Sequence, residues 1–241
     1  MGWMRGALRD DWPVQSIIIV NAVFYLISLV LTRNHAFTLN PLGALAPGQT
    51  SLLLLGATGT MPIDDYGRYW SLLSASYLHG GILHIIFNLM AFRQIAPRVI
   101  QEFGTSRMFT IYTLGGIGGY ILSYLAGVPL TIGASAAICA LIGSLLYYGK
   151  NRGGAYGTMV YREVGGWVVS LALFGFIVPG INNWAHGGGI ASGILLGMLL
   201  GYSEKRRETA LHRVLAIACA VATIVCLAWA LIGAVTFRFS P

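Results

Sequence analysis

Ser135 and His186 are the two residues of this 241-residue chain whose pairing could break an amide bond. A serine hydroxyl is a weak nucleophile until a base takes its proton, and a neutral imidazole is the usual base. Three more polar side chains stand in apolar surroundings: His79, His84 and Asn88. His84 and Asn88 are four apart and so stack on one helix face, where an imidazole and an amide could donate to a developing oxyanion. Ser135 opens an apolar stretch after Gly133-Ala134. In the first turn of a helix its own N–H is unpaired and faces the positive end of the dipole, giving a third donor. The chemistry such a set can do is acyl transfer. Taken singly, each residue has a plainer reading: a membrane serine usually bonds a carbonyl one turn back, and a His with an Asn can simply join two helices. The joint pattern is what points to catalysis.

The elements that must position these residues are membrane helices. Hydrophobic residues make up 56% of the chain and charged ones 10%, against roughly a quarter charged in a soluble domain. The charges cluster, leaving charge-free runs at 12–32, 69–92, 108–149, 164–203 and 214–237. A span takes about 20 residues, so the third and fourth runs each hold two. Val128-Pro129-Leu130-Thr131 breaks one, and Pro179-Gly180-Ile181-Asn182-Asn183 breaks the other. The spacing predicts an all-α polytopic bundle with spans near 14–31, 82–100, 108–126, 134–148, 164–178, 184–202 and 214–237. The organisation is then a cytoplasmic N-terminus (1–13), a six-helix core (14–202) with a long outer connection (32–76), and a basic loop with a seventh helix (203–241).

Lys and Arg bias sets the orientation. With the N-terminus inside, Arg5, Arg9, Arg93, Arg98, Arg107, Lys150, Arg152, Arg162, Lys205, Arg206, Arg207 and Arg213 fall on the cytoplasmic side, and Arg33, Arg68 and Arg238 outside. Twelve against three also accounts for the net charge of +7. The basic loops face anionic headgroups, and no nucleic-acid partner is implied. Ser135 lies 15 residues before Lys150, about 22 Å of helix, and His186 lies 18 before Glu204, about 27 Å. Both therefore sit in the outer half of the bilayer. The sixth span carries Gly189, Gly193, Gly197 and Gly201 on one face, and the fourth opens with small residues from Gly133, so the two can approach closely. Cys139, Cys219 and Cys226 fall within spans and read as packing residues rather than disulfides.

Trp70 with His79, His84-Ile85-Ile86-Phe87-Asn88, Gly133-Ala134-Ser135, and Trp184-Ala185-His186 with Gly189 and Gly193 together resemble the signature elements of the rhomboid intramembrane serine proteases. The likeness runs in order from about 66 to 202. It implies Ser135 as nucleophile and His186 as general base. It also implies His84, Asn88 and the Ser135 amide as oxyanion hole, Gly133, Gly189 and Gly193 as packing at the site, and another protein's transmembrane segment as substrate. The sequence departs from that pattern at Ala136 (usually Gly), Cys139 (often aromatic) and Ser71 (often Arg), which bears on rate and substrate preference. No cofactor is implied. A metal is not expected, since no His-Glu-x-x-His or similar ligand cluster occurs. An aspartyl mechanism is not expected either, because every acid falls in a predicted terminus or loop. The alternative of another class is a non-catalytic rhomboid-like protein that binds membrane helices. A short chain without a transit peptide points to a prokaryotic plasma membrane, with the site toward its outer side.

Overall fold

The computed structural model describes residues 12–32 and 45–239. The N-terminal arm with Arg5 and Arg9, and the part of the connection holding Arg33, Pro41 and Gly43, lie outside the described residues. Seven helices of 18 residues or more are described: α1 (Trp12–Val30), α2 (Ile82–Phe103), α3 (Thr105–Leu125), α4 (Ser135–Arg152), α5 (Gly154–Ile177), α6 (Asn183–Leu200) and α7 (Ala210–Phe239). Four of them, α1, α3, α5 and α7, are long and apolar enough to cross a membrane. The short segment Ser71–Tyr77 and α2, bent by 93° at the break between them, make a fifth if taken as one span. The two that miss that standard are α4 and α6, which carry Ser135 and His186. The physical reason is length: each has only 18 residues, so its polar end counts in full, Lys150-Asn151-Arg152 in α4 and Asn183, His186 and the glycines in α6. Residues Ala136 to Leu145 of α4 are all buried against protein.

Small residues let α3, α4 and α6 pack backbone to backbone. A methyl on Gly189 would run into the Ala136 carbonyl, and one on Gly193 into the Ala140 carbonyl, as expected of a small-residue face. Gly201 does not belong to that face: it lies past Leu200 with φ +69°, ending the helix. α5 starts at Gly154, ten residues before the predicted 164, because polar residues continue the helix beyond its apolar stretch.

One end of the bundle is tied by charge and aromatic contact. Tyr156 donates to Glu102 at 2.6 Å, Arg98 pairs with Glu163 at 3.5 Å and Arg152 with Glu204 at 2.9 Å. Glu102 and Glu163 lie inside α2 and α5 rather than in loops as expected. Arg107 differs from expectation too. It is fully buried in α3, where its guanidinium donates to the carbonyls of Phe103 (2.8 Å), Arg206 (2.6 Å) and Arg207 (3.0 Å). Three main-chain acceptors in the loop and helix end give this cation partners away from water. Beside it, Glu208 accepts from the N–H groups of Ser106 (2.9 Å) and Arg107 (3.4 Å) at the start of α3, where a carboxylate is favoured. Together they fasten the loop before α7 to the core.

The described part of the long connection lies on the opposite end. The turn Gln49–Leu54 buries Leu52, with Leu55 just beyond it. Thr58 and Thr131 exchange two backbone hydrogen bonds (3.1 and 2.6 Å). Thr60 and Met61 donate to the carbonyls of Val128 (2.9 Å) and Pro129 (3.2 Å). The connection is thus stitched to the segment that leads into Ser135.

Candidate active site

Ser135, His186, His84 and Asn88 line one cavity of about 780 Å³, with Tyr120, Thr131, Asn182 and Asn183 and with apolar side chains that include Phe87 and Ala91 of α2 and Trp167, Leu171 and Phe174 of α5. Ser135 is the first residue of α4. The segment before it is held from two sides: the Gly133 N–H donates to the Ala75 carbonyl at 2.9 Å, and the buried Tyr120 hydroxyl donates to the Gly133 carbonyl. Gly133 sits at φ +124°, and a methyl there would stand 2.7 Å from His84 Nε2. No other residue satisfies both the backbone conformation and the space. The same point lies 3.7 Å from Ser135 Oγ, so the imidazole and the hydroxyl flank one small gap.

His84 has a defined tautomer. Its Nδ1 accepts from the Gly80 N–H at 3.2 Å, which leaves the proton on Nε2, the nitrogen that faces Gly133. Asn88 uses one amide hydrogen on the His84 carbonyl at 2.9 Å and retains the other. His79 does not line the cavity. It is fully buried behind His84, edge to face at 5.1 Å between ring centroids, and so supports the ring rather than facing the gap. His186 projects from the first turn of α6, and its Nδ1 has no hydrogen-bond partner among the described residues. Asp64 accepts from Tyr124 (2.7 Å), Asp65 is exposed, and Glu102, Glu163, Glu204 and Glu208 have the partners given above. No described carboxylate therefore orients this imidazole.

The three departures from the resemblance have structural accounts. Ala136 is buried among Ala75, Tyr120 and Ala185 and does not line the cavity, so its methyl packs against α3 instead of entering the gap. Cys139 lines the cavity one turn below Ser135 and, like Cys219 and Cys226, is a free, buried thiol. Ser71 is fully buried and donates to Thr58 at 2.9 Å, which strengthens the stitch between connection and bundle. Sequence reasoning did not single out Tyr120, Ser123, Thr131 or Asn182. An amide immediately before a helix is an N-cap signal that could have flagged the last of these.

Comparison with known proteins identifies the family. The family model described as "Rhomboid domain" matches residues 66–203. The chain is 30% identical over 229 residues to "RHOMBOID-like protein 1" of Arabidopsis thaliana, covering 82% of this chain and 57% of that protein. It is 34% identical over 163 residues to "RHOMBOID-like protein 4" of the same plant, covering 67% and 41%. It is also 34% identical over 140 residues to "Rhomboid protease GluP" of Bacillus subtilis (strain 168), covering 56% and 27%. The chain spans about half the length of the curated relatives it matches. Other relatives carry "mitochondrial" or "chloroplastic" in their names, so the similarity does not favour the prokaryotic plasma membrane expected from the sequence. With the family model covering more than half of its length, the chain belongs to the rhomboid family.

Proposed function

We propose that this protein is an intramembrane serine endopeptidase that cleaves transmembrane segments of other membrane proteins. The observation that carries the reading is the meeting of Ser135, His186, His84 and Asn88 on one cavity, with Ser135 at the N-terminus of α4. The name of the Bacillus subtilis relative, a rhomboid protease, supports extending that chemistry to this chain. In this reading Ser135 Oγ attacks the scissile carbonyl while His186 takes its proton and later returns it to the leaving amine. The oxyanion is held by the Nε2–H of His84, the free amide hydrogen of Asn88 and the Ser135 N–H. Catalysis uses a dyad, and no carboxylate takes part. The six-helix core (14–202) carries the reaction and 203–241 adds a seventh helix, with the N-terminus cytoplasmic and the site toward the outer side. A substrate helix must unwind to react, because its carbonyls are otherwise hydrogen-bonded and shielded.

Purified protein treated with a fluorophosphonate should be labelled at Ser135, and both Ser135→Ala and His186→Ala should lose labelling and cleavage of a model transmembrane substrate. A folded parent that binds transmembrane peptides but neither labels nor cleaves would overturn this reading in favour of a non-catalytic rhomboid-like protein.

A further inference from the structure

We propose that Asn182 is a positioning residue that sets the registration of His186 against Ser135; the inference rests on reading those two as the catalytic pair. Asn182 is the N-cap of α6, and its Oδ1 accepts the Ala185 N–H at 3.0 Å. That bond fixes which end of the amide is which, so Nδ2 faces the other way. It donates to Ser123 Oγ at 2.6 Å and to Thr131 Oγ1 at 2.9 Å. The backbone carbonyl of Asn182 accepts the His186 N–H at 3.2 Å. One residue therefore holds the first turn of α6 from within and ties it to two other elements.

Those elements are the ones that matter. Ser123 is fully buried in the last turn of α3. Thr131 lies four residues before Ser135, as Asn182 lies four before His186. Thr131 is also the residue that exchanges backbone bonds with Thr58 of the long connection. A displacement of the Asn182 amide would move the His186 backbone relative to the segment that leads into Ser135. In a soluble triad a carboxylate on Nδ1 orients the imidazole. Here Nδ1 has no described partner, and orientation is delivered through the main chain.

The test uses the full chain in detergent. It measures kcat and KM on a model transmembrane substrate, the rate of fluorophosphonate labelling at Ser135, and the thermal midpoint. Asn182→Ser keeps a helix cap, but its side chain is too short to reach Ser123 and Thr131. It should melt near the parent while kcat and labelling rate fall about 10²-fold, the scale of a misplacement near 1 Å, with KM within about twofold. Thr131→Val and Ser123→Ala each remove one of the two acceptors and leave Asn182 in place, so each should lower kcat by a smaller factor at unchanged KM. If the parent labels and all three variants keep kcat and labelling rate within about twofold of it, Asn182 only caps the helix and the proposal is wrong. Failure of the parent to label would overturn the catalytic pair, and this inference with it.

Discussion

Substituting Gly133 by alanine should damage catalysis more than stability. At φ +124° an L-residue is strained, by about 1–3 kcal/mol when the surroundings hold it there. The new methyl also stands 2.7 Å from His84 Nε2 where ordinary contact begins at 3.4 Å. The ring must therefore retreat by 0.7 Å (3.4 − 2.7) or the loop must shift by as much. A retreat of that size disturbs the 3.2 Å bond from Gly80 to Nδ1 on the other side of the ring and moves the Nε2 donor from where the proposed oxyanion forms. Misplacement near 1 Å lowers rates by about 10²-fold, which is the expected loss of kcat, with KM nearly unchanged. Gly127 supplies the control. Its φ is +79° with nothing within 4 Å of an added methyl, so Gly127→Ala should carry the backbone strain without the steric conflict. Thermal midpoints and kcat of both variants, measured on one model substrate in detergent, separate the two effects. Parental kcat in Gly133→Ala, or an equal loss in Gly127→Ala, would refute the argument.

Asn88→Ala should lower kcat by about 10² to 10³, the usual result of losing an oxyanion donor; a change in KM alone would make Asn88 a packing residue. Neutralising Asp64 with Asp65, and separately Glu102 and Glu163, should leave kcat within about tenfold across pH, because a triad acid would be worth nearer 10⁴. Arg107→Leu removes the guanidinium bonds to the Arg206 and Arg207 carbonyls, and hydrogen bonds to a charged group contribute about 1.5–3 kcal/mol. Its thermal midpoint should fall clearly while labelling at Ser135 persists below that midpoint. Reporter fusions at Ser203 and Pro241 should report opposite sides of the membrane, and the same side for both would remove α7 as a span.

The helices were legible because charge in this chain marks their ends. The end of α1, both ends of α3 and the start of α7 fall within a few residues of the predicted limits, set by Arg33, by Arg107 with the Val128-Pro129 break, and by Arg213. α5 was misjudged by ten residues because Tyr161, Arg162 and Glu163 continue it beyond the apolar run, and Glu163 finds Arg98 there. The four candidate residues stand out in the sequence as polar groups in apolar surroundings, and the structure brings them to one cavity. What holds them was not legible. Asn182 and Thr131 are unremarkable in the breaks inside two apolar runs, as is Ser123 in a predicted span, and their bonds join positions 51 and 59 residues apart. Arg107 read as a loop cation, because nothing local says that three carbonyls will surround it.

The modest apolarity of α4 and α6 bears on how the protein is made. A segment leaves the translocon for lipid according to its own apolarity, and polar or charged residues oppose that step. α6 brings His186 and several glycines, and α4 ends on Lys150-Asn151-Arg152. Each directly follows a helix that only just reaches the apolarity of a span, with mean hydropathy 1.2 in α3 before α4 and 1.3 in α5 before α6, so insertion as helical hairpins would leave neither member of a pair with apolarity to spare. Mutations that reduce the apolarity of α3 or α5 would therefore deplete membrane-inserted protein during synthesis, before any fold exists to be destabilised.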